Sequence, residues 1–114
     1  MRKCGLLLVA LCSFSGAATA ADRLVGYNLT SATDFTGVFL APTGTTNWGA
    51  NQALNDADKR WDVGERLVMR GISPGQFDLK VVDRKGRSCI KHGIDLTKDT
   101  SFDLRDEDLK TCGW

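Results

Sequence analysis

Residues 75–96 read GQFDLKVVDRKGRSCIKHGIDL, and this stretch decides the fold. Phe77, Leu79 and Val81 alternate with polar residues, a period of two that is typical of a strand with one buried face. The polar turn DRKG interrupts the alternation, and a second alternating run follows from Ser88 to Leu96. Two such runs joined by a short glycine-containing loop predict a β-hairpin.

Further strands are predicted on either side of the hairpin, where short apolar runs alternate with turn residues. They cover residues 24–29, 35–41, 65–70 and 101–104. Helical turns are expected near residues 54–61 and 106–112, the second of which begins with three acidic residues that favour a helix N-terminus. Short strands with little helix predict an all-β fold, a small antiparallel β-sandwich of about six strands.

Alternation also predicts which side chains share a face of each strand. Val25, Tyr27 and Leu29 lie on one face of the first strand. On the second strand, Phe35 and Phe39 share one face, and Val38 and Leu40 share the other. Because both faces are apolar, this strand is expected to be covered on both sides.

Residues 1–20 have the features of a secretory signal peptide. Two basic residues precede the apolar run 6–11, and an A-x-A cleavage site ends at Ala20. The apolar run is shorter than the roughly 20 residues that cross a bilayer. We expect cleavage after Ala20 or Ala21, which leaves a single β-sandwich domain in residues 21–114, located in the periplasm or secreted.

The charge balance argues against several classes of partner. The chain has fifteen basic and fourteen acidic residues, and two of the basic residues lie in the predicted signal peptide. The expected mature domain therefore has thirteen basic and fourteen acidic residues, a net charge of −1. Such a domain lacks the basic surface of a nucleic-acid binder. No polybasic or amphipathic helix indicates a membrane surface. Leu11 before Cys12 disfavours a lipid anchor, because such signals need a small residue there.

Cys89 and Cys112 are the two cysteines of the expected mature domain, and we predict that they form a disulfide. A domain this small buries a modest share of its surface, so a cross-link that contributes roughly 3 kcal/mol is expected to matter. The alternative is a pair of free buried thiols.

His92 is the only histidine, and this scarcity limits the chemistry. Cys89 and His92 could form half of a metal site, but tetrahedral zinc needs four ligands, so neither a metal nor a cofactor is expected. A serine nucleophile would need a base held by a third group, and no serine is a clear partner, so no catalytic residue is assigned. The parity of His92 matches Ile90 and Ile94, which points it inward unless Gly93 marks a bulge.

Trp48, Asn47 and Trp61 are the candidate binding residues. A tryptophan between polar neighbours can be a sugar platform or an interface anchor. The alternative, favoured in a domain this small, is that each indole folds back to cap the core. A Trp48→Ala variant would then unfold, whereas loss of a platform would leave it folded and remove a ligand.

Two segments resemble small secreted proteins of proteobacteria. They are FLAP at residues 39–42 followed by NWG at 47–49, and FDLKVVD at 77–83. The resemblance implies a signal peptide and a single β domain. Some of these proteins carry an argininosuccinate lyase name, but such lyases are long helical enzymes, unlike this chain. Residues 73–104 also look like the repeated unit of prealbumin-like sandwiches, which resemble immunoglobulin domains in architecture and imply a fold, not an activity.

These observations favour an exported, non-catalytic binding or structural domain whose partner is an envelope protein or a glycan. One alternative is a small hydrolase or lyase with carboxylates as its acid and base, and another is a secreted inhibitor or immunity-type protein. An enzyme is expected to have a concave site with a carboxyl group of raised pKa. A binding module is expected to use a flat or edge surface without one.

Overall fold

The computed structural model describes residues 24–114, in which six strands are followed by one short α-helix. In chain order the elements are β1 (Leu24–Leu29), β2 (Phe35–Pro42), a 3-10 helix (Gln52–Asn55), β3 (Arg66–Met69), β4 (Gln76–Asp83), β5 (Ser88–Asp95), β6 (Ser101–Arg105) and α1 (Asp106–Lys110). The predicted signal peptide, residues 1–20, lies outside the described residues. Within residues 24–114, no helix is long and apolar enough to cross a membrane.

The strands form two three-stranded sheets, β3-β1-β6 and β2-β4-β5. The predicted small six-stranded β-sandwich is therefore confirmed. One pairing differs from a purely antiparallel arrangement, because β1 and β6 run parallel. Parallel neighbours need a long crossover, and here the chain passes through the other sheet between β1 and β6.

The predicted hairpin is formed by β4 and β5, which pair antiparallel. Its turn is organised by Asp83, whose carboxylate accepts backbone hydrogen bonds from Lys85 at 3.0 Å and Arg87 at 2.8 Å. Gly86 adopts a φ of 86°, a left-handed conformation that suits glycine. β4 pairs with β2 along its other edge, so the hairpin supplies the centre and one edge of its sheet.

The two sheets pack around Trp61, which is fully buried. Its ring centroid lies 6.1 Å from that of Phe35 in one sheet and 6.3 Å from that of Phe102 in the other. Its indole N–H donates to the Glu65 carbonyl at 3.0 Å, so burial leaves this donor satisfied. A Cβ at Gly26 would lie 2.9 Å from the Phe102 ring and 3.0 Å from the Trp61 ring. The absence of a side chain at Gly26 therefore makes the space for these rings.

Val25, Tyr27 and Leu29 of β1 share a face as predicted, and that face points away from the core. Leu24, Gly26 and Asn28 point inward instead. Asn28 is tolerated there because its side-chain amide donates to two backbone carbonyls.

A β-bulge in β2 separates two aromatic residues that were predicted to share a face. The register shifts between Phe35 and Gly37, and one extra residue reverses the parity of the strand. Phe35 is consequently fully buried in the core, whereas Phe39 stays half-buried on the outer face of the sheet.

The helical turn expected near residues 54–61 is present, but it is shorter and begins two residues earlier. The only helical piece there is the 3-10 helix Gln52–Asn55, whose first turn is capped by the Asn51 side chain. The chain then turns through Lys59, which has a left-handed φ of 58°, so a helix cannot continue. Trp61 instead forms an isolated antiparallel bridge with β2.

The C-terminal predictions are confirmed. Cys89 and Cys112 form a disulfide with a Cα–Cα distance of 5.7 Å. The bridge ties the segment after α1 to the start of β5, and Leu109 of α1 is buried against the core. Trp114 then stacks on Phe35 with a centroid distance of 6.4 Å and closes that end of the sandwich.

The close fit at Gly26 can be tested by adding one methyl group. The added methyl of Gly26→Ala would push against the buried side chains of Phe102, Met69 and Trp61. We expect this variant to lower the free energy of unfolding by about 1–3 kcal/mol in urea titrations. Gly49→Ala is the matched control, because its Cβ would meet only the Leu40 carbonyl oxygen at 3.6 Å. Equal stability of the two variants would contradict the packing described here.

Candidate functional site

A groove of about 460 Å³ lies on the outer face of the β2-β4-β5 sheet, between the loop that follows β2 and the edge strand β5. Loop residues 43–46, Trp48, Asp78, Ile90 and His92 line it. We call it the Trp48 groove. Its lining is mainly apolar and it is open to solvent, within the size range of about 300–1,000 Å³ usual for small-molecule sites.

Trp48 is half-buried and lies outside the core. The Lys80 ammonium lies 5.0 Å from the centroid of its ring and 5.0 Å from that of Phe39. Such cation–π contacts contribute about 0.5–1 kcal/mol at exposed sites. Lys80 does not line the Trp48 groove, so it holds the indole while part of the indole surface stays available to the groove.

Asp78 connects the loop to the edge strand. Its side chain points to the outer face, yet the residue is only 4% exposed, because the loop and β5 cover it. The carboxylate accepts hydrogen bonds from the Gly93 N–H at 3.1 Å and the Gly44 N–H at 3.2 Å, and it lies 3.2 Å from His92 Nδ1. Burial raises the pKa of Asp78, but these hydrogen bonds outweigh burial, so the pKa lies below its ordinary value.

A β-bulge aims His92 at the groove. Phe77 pairs with Ile94 and Leu79 with Lys91, so two residues of β5 lie opposite the single residue Asp78. Gly93 supplies the positive φ of 73° at this position. The alternative in which Gly93 marks a bulge is therefore confirmed, and the His92 side chain is 74% exposed.

The contact with Asp78 constrains how His92 can form hydrogen bonds. Nδ1 lies 3.2 Å from the Asp78 carboxylate, which can only accept, so donation across this contact requires a proton on Nδ1. When Nδ1 carries the only ring proton, Nε2 is a hydrogen-bond acceptor.

The other two candidate binding residues lie elsewhere. Asn47 is exposed beside Trp48 but is not a lining residue, and its backbone N–H bonds to the Thr45 hydroxyl at 3.3 Å. Trp61 belongs to the core, so its assignment as a binding residue is corrected. Its charged sequence neighbours gave no sign of this, because Trp61 enters the sandwich through a bridge to Phe35 and not through a regular element.

Sequence reasoning missed Asp78 and Ile90. In an alternating strand, Asp78 looks like an ordinary solvated residue on the outer parity. The signal that could have found it is the pair of glycines, Gly44 and Gly93, each of which has a positive φ and donates its N–H to this carboxylate.

A second cavity of about 480 Å³ lies between β5 and β6 and is lined mainly by charged residues. Asp108 pairs with Lys91 and Asp103 pairs with Arg105, each at 2.9 Å, so charges of opposite sign meet within it. In the part of the chain that the structure describes, no group of three or more His, Cys, Asp or Glu side chains is placed to hold a metal ion.

Comparison with known proteins gives no match: no family model, no curated protein and no solved structure matches the chain. The resemblance to small secreted proteobacterial proteins and to prealbumin-like sandwiches therefore stays a prediction.

The different positions of the two tryptophans predict different effects of truncation. Trp61→Ala empties the centre of the core and should cost about 3–5 kcal/mol. Trp48→Ala removes an outer-face contact and should cost about 1 kcal/mol. Urea unfolding followed by circular dichroism measures both, since that signal does not depend on the indoles. Comparable losses would place Trp48 in the core.

The role of Asp78 predicts a pH-dependent stability. Because its pKa is lowered in the folded protein, its carboxylate stabilises the fold above the ordinary value of 3.8, and this contribution is lost as the pH falls through the lowered value. Asp78→Asn should therefore be less stable than wild type at neutral pH, and the gap should close in acid. Thermal melts from neutral pH to below 3.8 give the test, with Asp99→Asn in an exposed loop as the control. A gap that is constant with pH would contradict this role.

Proposed function

We propose that this chain is an exported, non-catalytic binding domain and that the Trp48 groove is its contact surface. The observation that carries the proposal is the position of Trp48, a half-buried aromatic side chain outside the core that lines an apolar groove. Aromatic side chains in such positions supply large contact areas at little conformational cost. The disulfide supports export, because such bonds persist in oxidising compartments.

The groove is concave, as an enzyme site would be, so the distinction rests on its ionisable groups. Asp78 has a lowered pKa and both of its oxygens are occupied, which suits a structural carboxylate and not a general acid. Burial and the neighbouring Asp56 raise the pKa of Glu65 despite a hydrogen bond from the Asp62 N–H, but Glu65 does not line the groove. The carboxyl group with a raised pKa therefore lies outside the groove, which favours binding over carboxylate catalysis.

The test is a binding screen with two matched aromatic truncations. Labelled wild-type protein is applied to glycan arrays and to purified envelope proteins, together with Trp48→Ala and Tyr27→Ala. Tyr27 is also half-buried on an outer face, but it lies on the opposite sheet. We expect wild type and Tyr27→Ala to bind the same targets, and Trp48→Ala to lose them by about tenfold or more.

Two results would contradict the proposal. One is unchanged binding by Trp48→Ala, which would move the contact surface elsewhere. The other is turnover of glycoside or ester substrates by the purified protein, with that activity lost in His92→Ala.

A further inference from the structure

We infer that the ligand of the Trp48 groove is a neutral saccharide, with a sugar ring against Trp48 and Ile90 and a hydroxyl group donating to His92 Nε2. This inference rests on the proposed function and names the class of ligand. It follows from three properties of the groove, which are its charge, the arrangement of its apolar and polar groups, and its shape.

The charge of the groove argues against ionic ligands. Among the described residues that line it, none is Lys or Arg, so a phosphate or carboxylate would lack the cationic donors that such groups require. The Asp78 carboxylate would also repel an anion. A cation finds no better site, because Asp78 already accepts from two backbone N–H groups and faces His92. The Lys80 ammonium, 5.0 Å from the centroid of the Trp48 ring, would also repel a cation bound at that ring.

The lining presents apolar surface on one part and hydrogen-bonding groups on another. Trp48 and Ile90 supply the apolar part. The quadrupole of an aromatic ring makes its face negative, which attracts the weakly positive C–H groups of a sugar ring. Thr43, Thr46 and His92 line the same groove, and their side chains carry hydrogen-bonding groups of the kind that suit the hydroxyl groups at a sugar's edge.

His92 is oriented before a ligand binds. The bulge at Gly93 places it opposite Asp78, and its Nδ1 lies 3.2 Å from that carboxylate. Such preorganisation reduces the entropy that a ligand must lose to bind. Because the groove is open to solvent, a ring within a longer glycan chain can also enter it.

The experiment is nuclear magnetic resonance titration of ¹⁵N-labelled protein purified from cells that express the full chain. The probes are glucose and N-acetylglucosamine oligomers as neutral saccharides, oligogalacturonate as an acidic one, and a mixed peptide library, each at millimolar concentration. We expect a neutral oligomer to shift the Trp48 indole N–H and the His92 side-chain signals. The Trp61 indole signal should not move, because that residue is buried.

Variants separate a specific site from weak surface contact. Trp48→Ala should weaken binding of the neutral oligomer by about tenfold or more, as expected for an aromatic anchor. His92→Ala should weaken it several-fold, whereas Tyr27→Ala should leave it unchanged. Equal weakening by Tyr27→Ala would overturn the site.

The probes also separate this inference from the proposed function. If only the peptides shift the Trp48 signal, the saccharide assignment is wrong and the binding domain stands with a protein partner. If only oligogalacturonate shifts the Trp48 signal, the assignment of a neutral ligand is wrong and the ligand is acidic. If no probe shifts the Trp48 signal, both the saccharide and the groove as a contact surface are rejected.

Discussion

Trp61 packs against Gly26, and this contact joins the two sheets of the sandwich. One ring contacts Phe35 from the β2-β4-β5 sheet and Phe102 from the β3-β1-β6 sheet, while Gly26 supplies the space. Burying an indole of this size is a large favourable contribution for a small domain. The bridge from Trp61 to Phe35 and the bonded indole N–H hold the ring in one orientation. The disulfide adds a second constraint by fastening the C-terminal segment over the same core.

The outer face of the β2-β4-β5 sheet is organised by a different group, the Asp78 carboxylate. A buried carboxylate is costly unless it is hydrogen-bonded, and here the Gly44 and Gly93 N–H groups bond to it and His92 lies beside it. Asp78 thereby sets the separation between the Trp48 loop and β5. Because the core lies on the opposite face of the same sheet, exposed side chains of the groove other than Asp78 can change at a smaller cost in stability than core residues.

Alternating strands such as β4 and β5, and the pair of cysteines, were predictable because each depends on a local pattern or on the redox compartment. The errors occurred where tertiary structure overrides such patterns. The bulge after Phe35 reversed the parity of β2 and placed Phe35 and Phe39 on opposite faces. For the proposed site, the polar neighbours of Trp48 made it a candidate. Asp78 was not, because its role depends on two backbone N–H groups that are distant in sequence.

The central claim is that Trp48 is a contact residue of a binding groove while Trp61 belongs to the core. Hydroxyl-radical footprinting read by mass spectrometry tests this claim without changing any residue. The account predicts that Trp48 is oxidised readily in the free protein and becomes protected when ligand is bound, whereas Trp61 is protected in both states. Protection of Trp48 in the free protein, equal to that of Trp61, would contradict the account and place both indoles in the core.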